Sequence, residues 1–279
     1  MSFSEQLLQL PSWALLLLIV TFSVTLGSVG TYFGRKLLAQ RIKPQHNEVT
    51  GLTFTVVAGF YGLLLAFVIF LVWEEFNDAK KTADTEGSYA FELYQDIVYY
   101  PDPGQSAKFN AAYLDYVGLV VNKEYPAMEI SKKSPETTAA FINVCNLIGK
   151  SDLDVRSKNA DQVSYNKNEI LLKNLNELTT YRNLRVLAGD SEIEFAVWIP
   201  LLFGGLITML FAILLNTENM KLHIIMNGLL GCFIGMVFYL IILINHSFSG
   251  EISIKPTIYK QILEMAGKSK PVHNDEKAN

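Results

Sequence analysis

The stretch VTGLTFTVVAGFYGLLLAFVIFLVW (49–73), followed without a break by EEFNDAKKTADTEGSYAFELYQDIVY (74–99), decides how this chain is built. Its first 25 residues hold no Asp, Glu, Lys or Arg. A helix rising about 1.5 Å per residue needs about 20 apolar residues to cross a hydrocarbon core. Backbone groups in lipid must bond within the protein, and no alternation of period two points to a barrel, so a helix is predicted. The pattern continues past Trp73. Phe76, Ala79 and Ala83, then Phe91, Tyr94 and Val98, lie at roughly helical spacing as far as Tyr99, where Pro101-Asp-Pro-Gly104 breaks the run.

Three further charge-free stretches, 6–34, 195–217 and 222–250, repeat the apolar signature. They explain why 50% of the 279 residues are hydrophobic and only 18% are charged, against about 25% charged in soluble domains. Spans are predicted at Trp13–Phe33, Leu52–Trp73, Phe195–Leu215 and His223–Ile244. The first is too long, and too poor in basic residues before it, for a cleaved signal peptide. Trp13, Trp73 and Trp198 fall at span ends, where an amphipathic ring prefers the headgroup layer. The reading is an all-α, multi-pass membrane protein with four transmembrane helices and a helical extramembrane domain between the second and third. Four segments follow: 1–73 with spans 1 and 2 and a basic connection; 74–194, the acidic helical domain; 195–250 with spans 3 and 4; and 251–279, a short amphipathic helix and disordered tail.

Residues 74–194 carry 20 acidic and 13 basic side chains. Within them a helix is predicted over Ser106–Lys123, with Phe109, Tyr113, Tyr116, Val117 and Val120 on one stripe. Another opens at Ser134-Pro-Glu, an N-cap followed by proline at the first helical position, and stops at Gly149. A long helix over Asp161–Leu187 carries Leu171, Leu175 and Leu178. Past the fourth span, Thr257–Ala266 has Ile258, Ile262 and Met265 spaced for a short helix lying on the membrane or on the domain. From Gly267 the composition is polar and disorder is expected.

Lys and Arg near the spans set orientation. The two short connections hold Arg35, Lys36, Arg41, Lys43 and Lys221. Their density places these connections in the cytoplasm of a cell with an inner membrane, and both termini with the acidic domain on the outer, periplasmic side. Cys145 and Cys232 cannot form a disulfide within the domain, so redox compartment stays open.

Each span carries small residues on a face: Ser23, Gly27, Gly30 and Gly34; Ala58, Gly62 and Ala66; Gly204 or Gly205, Thr208 and Ala212; Gly228, Gly231 and Gly235. Such faces let helices approach closely, or line a permeation path. On the second span Ala58, Gly62 and Ala66 are pore candidates. Phe67, Ile69 and Phe70 are candidates for a dewetting gate or for ordinary packing. Glu74, Glu75 and Asp78 would form a carboxylate ring at a pore mouth in an oligomer, or else a solvated helix end. No span carries a charge near its centre, which argues against proton-coupled transport. The four histidines, at 46, 223, 246 and 273, have no partners at metal-ligand spacing, and phosphate-loop and nucleophile-elbow patterns are missing. No catalytic, cofactor or metal site is expected, and the chain is read as a non-enzyme.

HNEVTGLTF (46–54) with GFYGLLLAF (59–67), YRNLR (181–185) ahead of the Pro200 span, and NHSFSG (245–250) together resemble the bestrophin-like membrane family, itself distantly similar to the bestrophins. The likeness covers nearly the whole chain. It implies a funnel-shaped helical fold, a homo-oligomer that is pentameric by analogy, and ion conduction. By position, the family's His-Asn-Glu element falls on His46, Asn47 and Glu48, and its paired arginines on Arg182 and Arg185. Its closing Asp-x-Pro-Phe-x-Gly element is replaced by Asn245, His246, Ser247, Phe248, Ser249 and Gly250, with carboxylate and proline lost. Asn47 is placed to cap the second span, and Glu48 to favour its positive N-terminal end. The bestrophins keep termini and central domain in the cytoplasm, opposite to the charge count.

The leading expectation is an oligomeric ion channel or channel-like protein with the second span nearest the axis. Its partners are the lipid bilayer, further copies of itself and inorganic ions, and nucleic acid is not among them. Bestrophin likeness suggests anions, whereas the acidic domain and the carboxylates favour cations. The alternative is a non-conducting, membrane-anchored sensor or scaffold whose helical domain binds a partner.

Overall fold

The computed structural model describes residues 11–38, 47–157, 162–191, 193–215 and 217–268. Among them there are nine α-helices and no strand: α1 (Ser12–Leu38), α2 (Asn47–Val98), α3 (Pro103–Leu119), α4 (Tyr125–Met128), α5 (Pro135–Ser157), α6 (Gln162–Ala188), α7 (Phe195–Leu214), α8 (Met220–Ile244) and α9 (Thr257–Lys268). A π-helical turn, Val120–Glu124, joins α3 to α4. Helices α1, α2, α7 and α8 are long and apolar enough to cross a membrane, at the four places the charge-free stretches predict. Helix α2 is one 52-residue helix, roughly 78 Å long at 1.5 Å per residue. The chain divides into two compact units, with α2 contributing to both.

The first unit contains α1, α2 as far as Asn77, α7 and α8. Lipid gives apolar helices no hydrophobic reason to associate, so close contact must come from shape and polar pairing. Along α1 and α8 it comes from glycine. A Cβ on Gly27 would lie 2.5 Å from the Asn227 carbonyl oxygen, and one on Gly231 would collide with that of Ser23. Beside them Asn227 Nδ2 donates to Thr31 Oγ1 at 2.7 Å, and Thr31 donates back to the Gly27 carbonyl. Gly30 and Gly34 make room for Ile213 of α7, and Gly204 and Gly205 for the Tyr61 ring. The Tyr61 hydroxyl donates to the Leu201 carbonyl at 3.1 Å. Tyr61, Leu65, Val68 and Val72 of α2 complete the core with Leu201, Met209, Ile234, Ile241 and Ile244.

The second unit contains the rest of α2, helices α3 to α6 and α9. Asp102 caps α3, accepting from Gly104 and Gln105 N–H at 2.8 and 3.2 Å, with Pro103 at the first helical position. The expected stripe of Phe109, Tyr113, Tyr116, Val117 and Val120 is buried, as are Leu171, Leu175 and Leu178 of α6. Four details differ from the expectation. The ridge that α2 buries is Ala79, Ala83, Glu86, Ala90, Leu93 and Ile97, while Val98 is exposed. Helix α5 passes Gly149 and ends at Ser157; nothing within 4 Å would crowd a Cβ at Gly149, so no tight turn requires a glycine there. Helix α9 runs beyond Gly267 to Lys268, and the remaining tail lies outside the described residues. It packs on this unit, with Ile258 over Gly87 and with Tyr259 and Ile262 buried, whereas Met265 is exposed.

Candidate functional site

Arg182 and Arg185 lie three apart on α6 and therefore point to the same side of the helix. Both turn into the second unit. Arg185 is fully buried and pairs through Nε and Nη2 with both oxygens of Glu86, through Nη2 with Glu124 as well, and through Nη1 with the Met128 sulfur at 2.8 Å. Arg182 pairs with the other oxygen of Glu124 and reaches Thr138 Oγ1 at 3.3 Å. The guanidinium groups lie over the rings of Tyr125 (Arg185, 4.8 Å) and Phe141 (Arg182, 5.1 Å). From α9, the Tyr259 hydroxyl donates to Glu86 Oε1 at 2.6 Å.

Two carboxylates and two guanidiniums make the cluster neutral as a whole, the condition under which charge can stay buried. Burial pulls the Arg185 guanidinium down, but Glu86, Tyr125 and Glu124 outweigh it and hold the group well above its ordinary range. Burial, reinforced by Glu86, raises the Tyr116 and Tyr259 phenols. These hydroxyls are hydrogen-bond donors at neutral pH.

The glutamates and Tyr259 belong to none of the motif strings. The available signal for Glu86 is its register, since it occupies a buried position of the ridge that begins at Ala79. Glu124 has a subtler origin. The π-helical turn closes on a bond from Tyr125 N–H to the Val120 carbonyl, and such widened turns often mark functional positions.

The remaining candidates lie in separate places. Of the His-Asn-Glu element, His46 is outside the described residues, as are Arg41 and Lys43. Asn47 is already the first residue of α2, with Glu48 in the first turn, where the helix dipole favours its charge. Asn245 ends α8 and accepts from Ile193 N–H at 3.0 Å. Phe248 is buried against the edge of Tyr125. Gly250 has φ of 80°, a conformation that favours glycine.

On α2, Ala58 is half-buried and Gly62, Ala66, Phe67 and Phe70 are exposed, while Ile69 packs against the bundle core. A Cβ added at Gly59 or Gly62 would meet nothing within 4 Å. Among the described residues, the small faces of α1, α7 and α8 are occupied by neighbouring helices and that of α2 is open. Glu74, Glu75 and Asp78 follow, all exposed.

The fold has solved counterparts. A crystal structure of a bacterial bestrophin homolog from Klebsiella pneumoniae superposes with a TM-score of 0.64 at 14% identity, covering 89% of this chain and 98% of that one. A second crystal structure, of a membrane protein carrying a serine-to-alanine change, gives 0.64 at 12% identity, covering 91% and 97%. No curated protein matches the chain. The model of the bestrophin-like domain matches residues 21–259, and over that length, with this fold, the chain belongs to the bestrophin-like family of membrane proteins.

Proposed function

We propose that this chain assembles into a homo-oligomer, pentameric by analogy with the bestrophins, and conducts inorganic ions along an axis lined by the open face of α2. The observation that carries the reading is the contrast between spans: three small faces are filled from within the chain, and the α2 face with Gly59, Gly62 and Ala66 is not. A narrow path needs small walls, and an apolar constriction such as Phe67 or Phe70 gates by dewetting. Glu74, Glu75 and Asp78, repeated around the axis, raise the local cation concentration, so a preference for cations is the reading this geometry supports. The extramembrane domain at 74–194 forms the vestibule.

Reconstitution into planar bilayers under a salt gradient tests this. Single-channel steps with a reversal potential on the cation side are expected, and silence at both polarities across a range of pH and Ca²⁺ refutes conduction. A monomer by light scattering in detergent also counts against it, because four spans alone leave no room for a hydrated path. The charge asymmetry of the connecting segments supports a domain on the periplasmic side of the inner membrane. With both cysteines replaced by serine, Lys108→Cys is then labelled from outside intact cells, and protection there reverses the orientation.

A further inference from the structure

The second unit contains a small cavity of about 60 Å³ bordered by Lys132, Lys133, Ser134, Thr138 and Arg182, with the carboxylates of Glu124 and Asp190 also on its wall. The charges do not cancel locally. Glu124 is engaged by both arginines, and Asp190 is held by Lys133 at 3.1 Å. Lys132 makes no ion pair among the described residues. Arg182 is 5% exposed, and while its Nη2 serves Glu124 and Thr138, its buried Nε–H has no acceptor. Buried donors without partners are uncommon because each costs its desolvation.

Helix α5 begins at the same place. Pro135 is its first residue and Ser134 precedes it, so the positive end of a 23-residue helix adjoins the cavity. Ser134 Oγ accepts from Thr137 N–H at 3.4 Å, a long bond. Glu136, in the same first turn, is exposed. One water needs about 10–15 Å³ of such space, so the cavity has room for a larger guest.

From the unmatched ammonium, the orphaned guanidinium N–H and the helix end, we propose that this cavity binds a phosphate-sized oxyanion, with Lys132 and Arg182 as its principal cationic partners. The guest is either free phosphate or the phosphoryl group of a lipid. This site is independent of the conduction path and stands or falls separately from it.

Equilibrium dialysis of the detergent-solubilised full chain against radiolabelled orthophosphate tests the proposal. Saturable binding of one phosphate per chain is expected, weakened about tenfold or more by Lys132→Gln. Lys108→Gln, at an exposed position elsewhere in the same unit, is expected to leave it unchanged. Displacement by a short-chain phosphatidic acid identifies a lipid headgroup as the guest, and failure to displace identifies the free ion. The proposal is overturned if phosphate binding does not saturate, if Lys132→Gln leaves it unchanged, or if chloride competes as well as phosphate.

Discussion

Replacing Arg185 by methionine removes the cation that both buried glutamates share. Glu86 then keeps only the Tyr259 hydroxyl and Glu124 only Arg182, so one negative charge is left in the interior without a counterion. Breaking a buried pair in this way costs about 3–5 kcal/mol, most of it the penalty of the stranded charge. At 1.4 kcal/mol per factor of ten, the opening equilibrium of the second unit rises by roughly two to three and a half orders of magnitude. Hydrogen exchange of the full chain in detergent reads this directly, through the amides of α3 around Phe109–Val117, whose side chains are buried. The exposed pair Lys133–Asp190 supplies the comparison: Asp190→Asn is expected to cost under about 1 kcal/mol. Adding Glu86→Gln to Arg185→Met restores part of the loss by neutralising the stranded carboxylate. If Arg185→Met accelerates exchange no more than Asp190→Asn, or if the double variant is worse than the single one, the network does not hold this unit together.

Tyr113, Tyr116 and Tyr259 have phenols raised by burial, so their contribution is intact below the ordinary phenol value of about 10 and is lost as pH rises from there toward the folded-state values; exchange of the same α3 amides should accelerate above that pH, and less steeply in Tyr259→Phe. Gly231→Val places a Cβ against the Ser23 carbonyl and should cost about 1–3 kcal/mol or more, seen as a lower melting temperature in detergent. Gly62→Val, in open space, should leave melting within about 0.5 kcal/mol of the parent while lowering single-channel conductance; unchanged conductance removes Gly62 from the path. Changing Glu74, Glu75 and Asp78 to their amides should move the reversal potential away from cation preference, and an unmoved value makes them ordinary solvated helix ends.

Span positions were legible because a run without charge is a local property of sequence. The continuation of α2 was legible for a similar reason, since Ala79 and Ala83 keep helical spacing beyond Trp73. The ridge was misjudged further along, where Val98 competes with Leu93 and Ile97 for the apolar stripe and Glu86 interrupts it. A glutamate at a buried position reads in sequence as a solvated one until its partner is known, and Arg185 is 99 positions away. The motif string YRNLR marked the arginines without revealing what they neutralise. Of the small faces, sequence named the residues but not which would find a neighbour. That depends on the relative placement of helices, which Gly27 and Gly62 acquire only in the folded bundle.

The π-helical turn at Val120–Glu124 amounts to one residue more than the helix would otherwise need. In an α-helix each residue advances the azimuth by about 100°, so deleting a single residue such as Asn122 would let the turn relax to ordinary pitch and rephase whatever follows it. Tyr125 and Met128, with the glutamate that closes the turn, would then swing together relative to the arginines of α6. The segment thus behaves as a vernier: its count of residues, more than their identity, sets whether the downstream side chains meet their partners. Length changes here should be tolerated far less well than substitutions at the exposed Asn122 or Lys123.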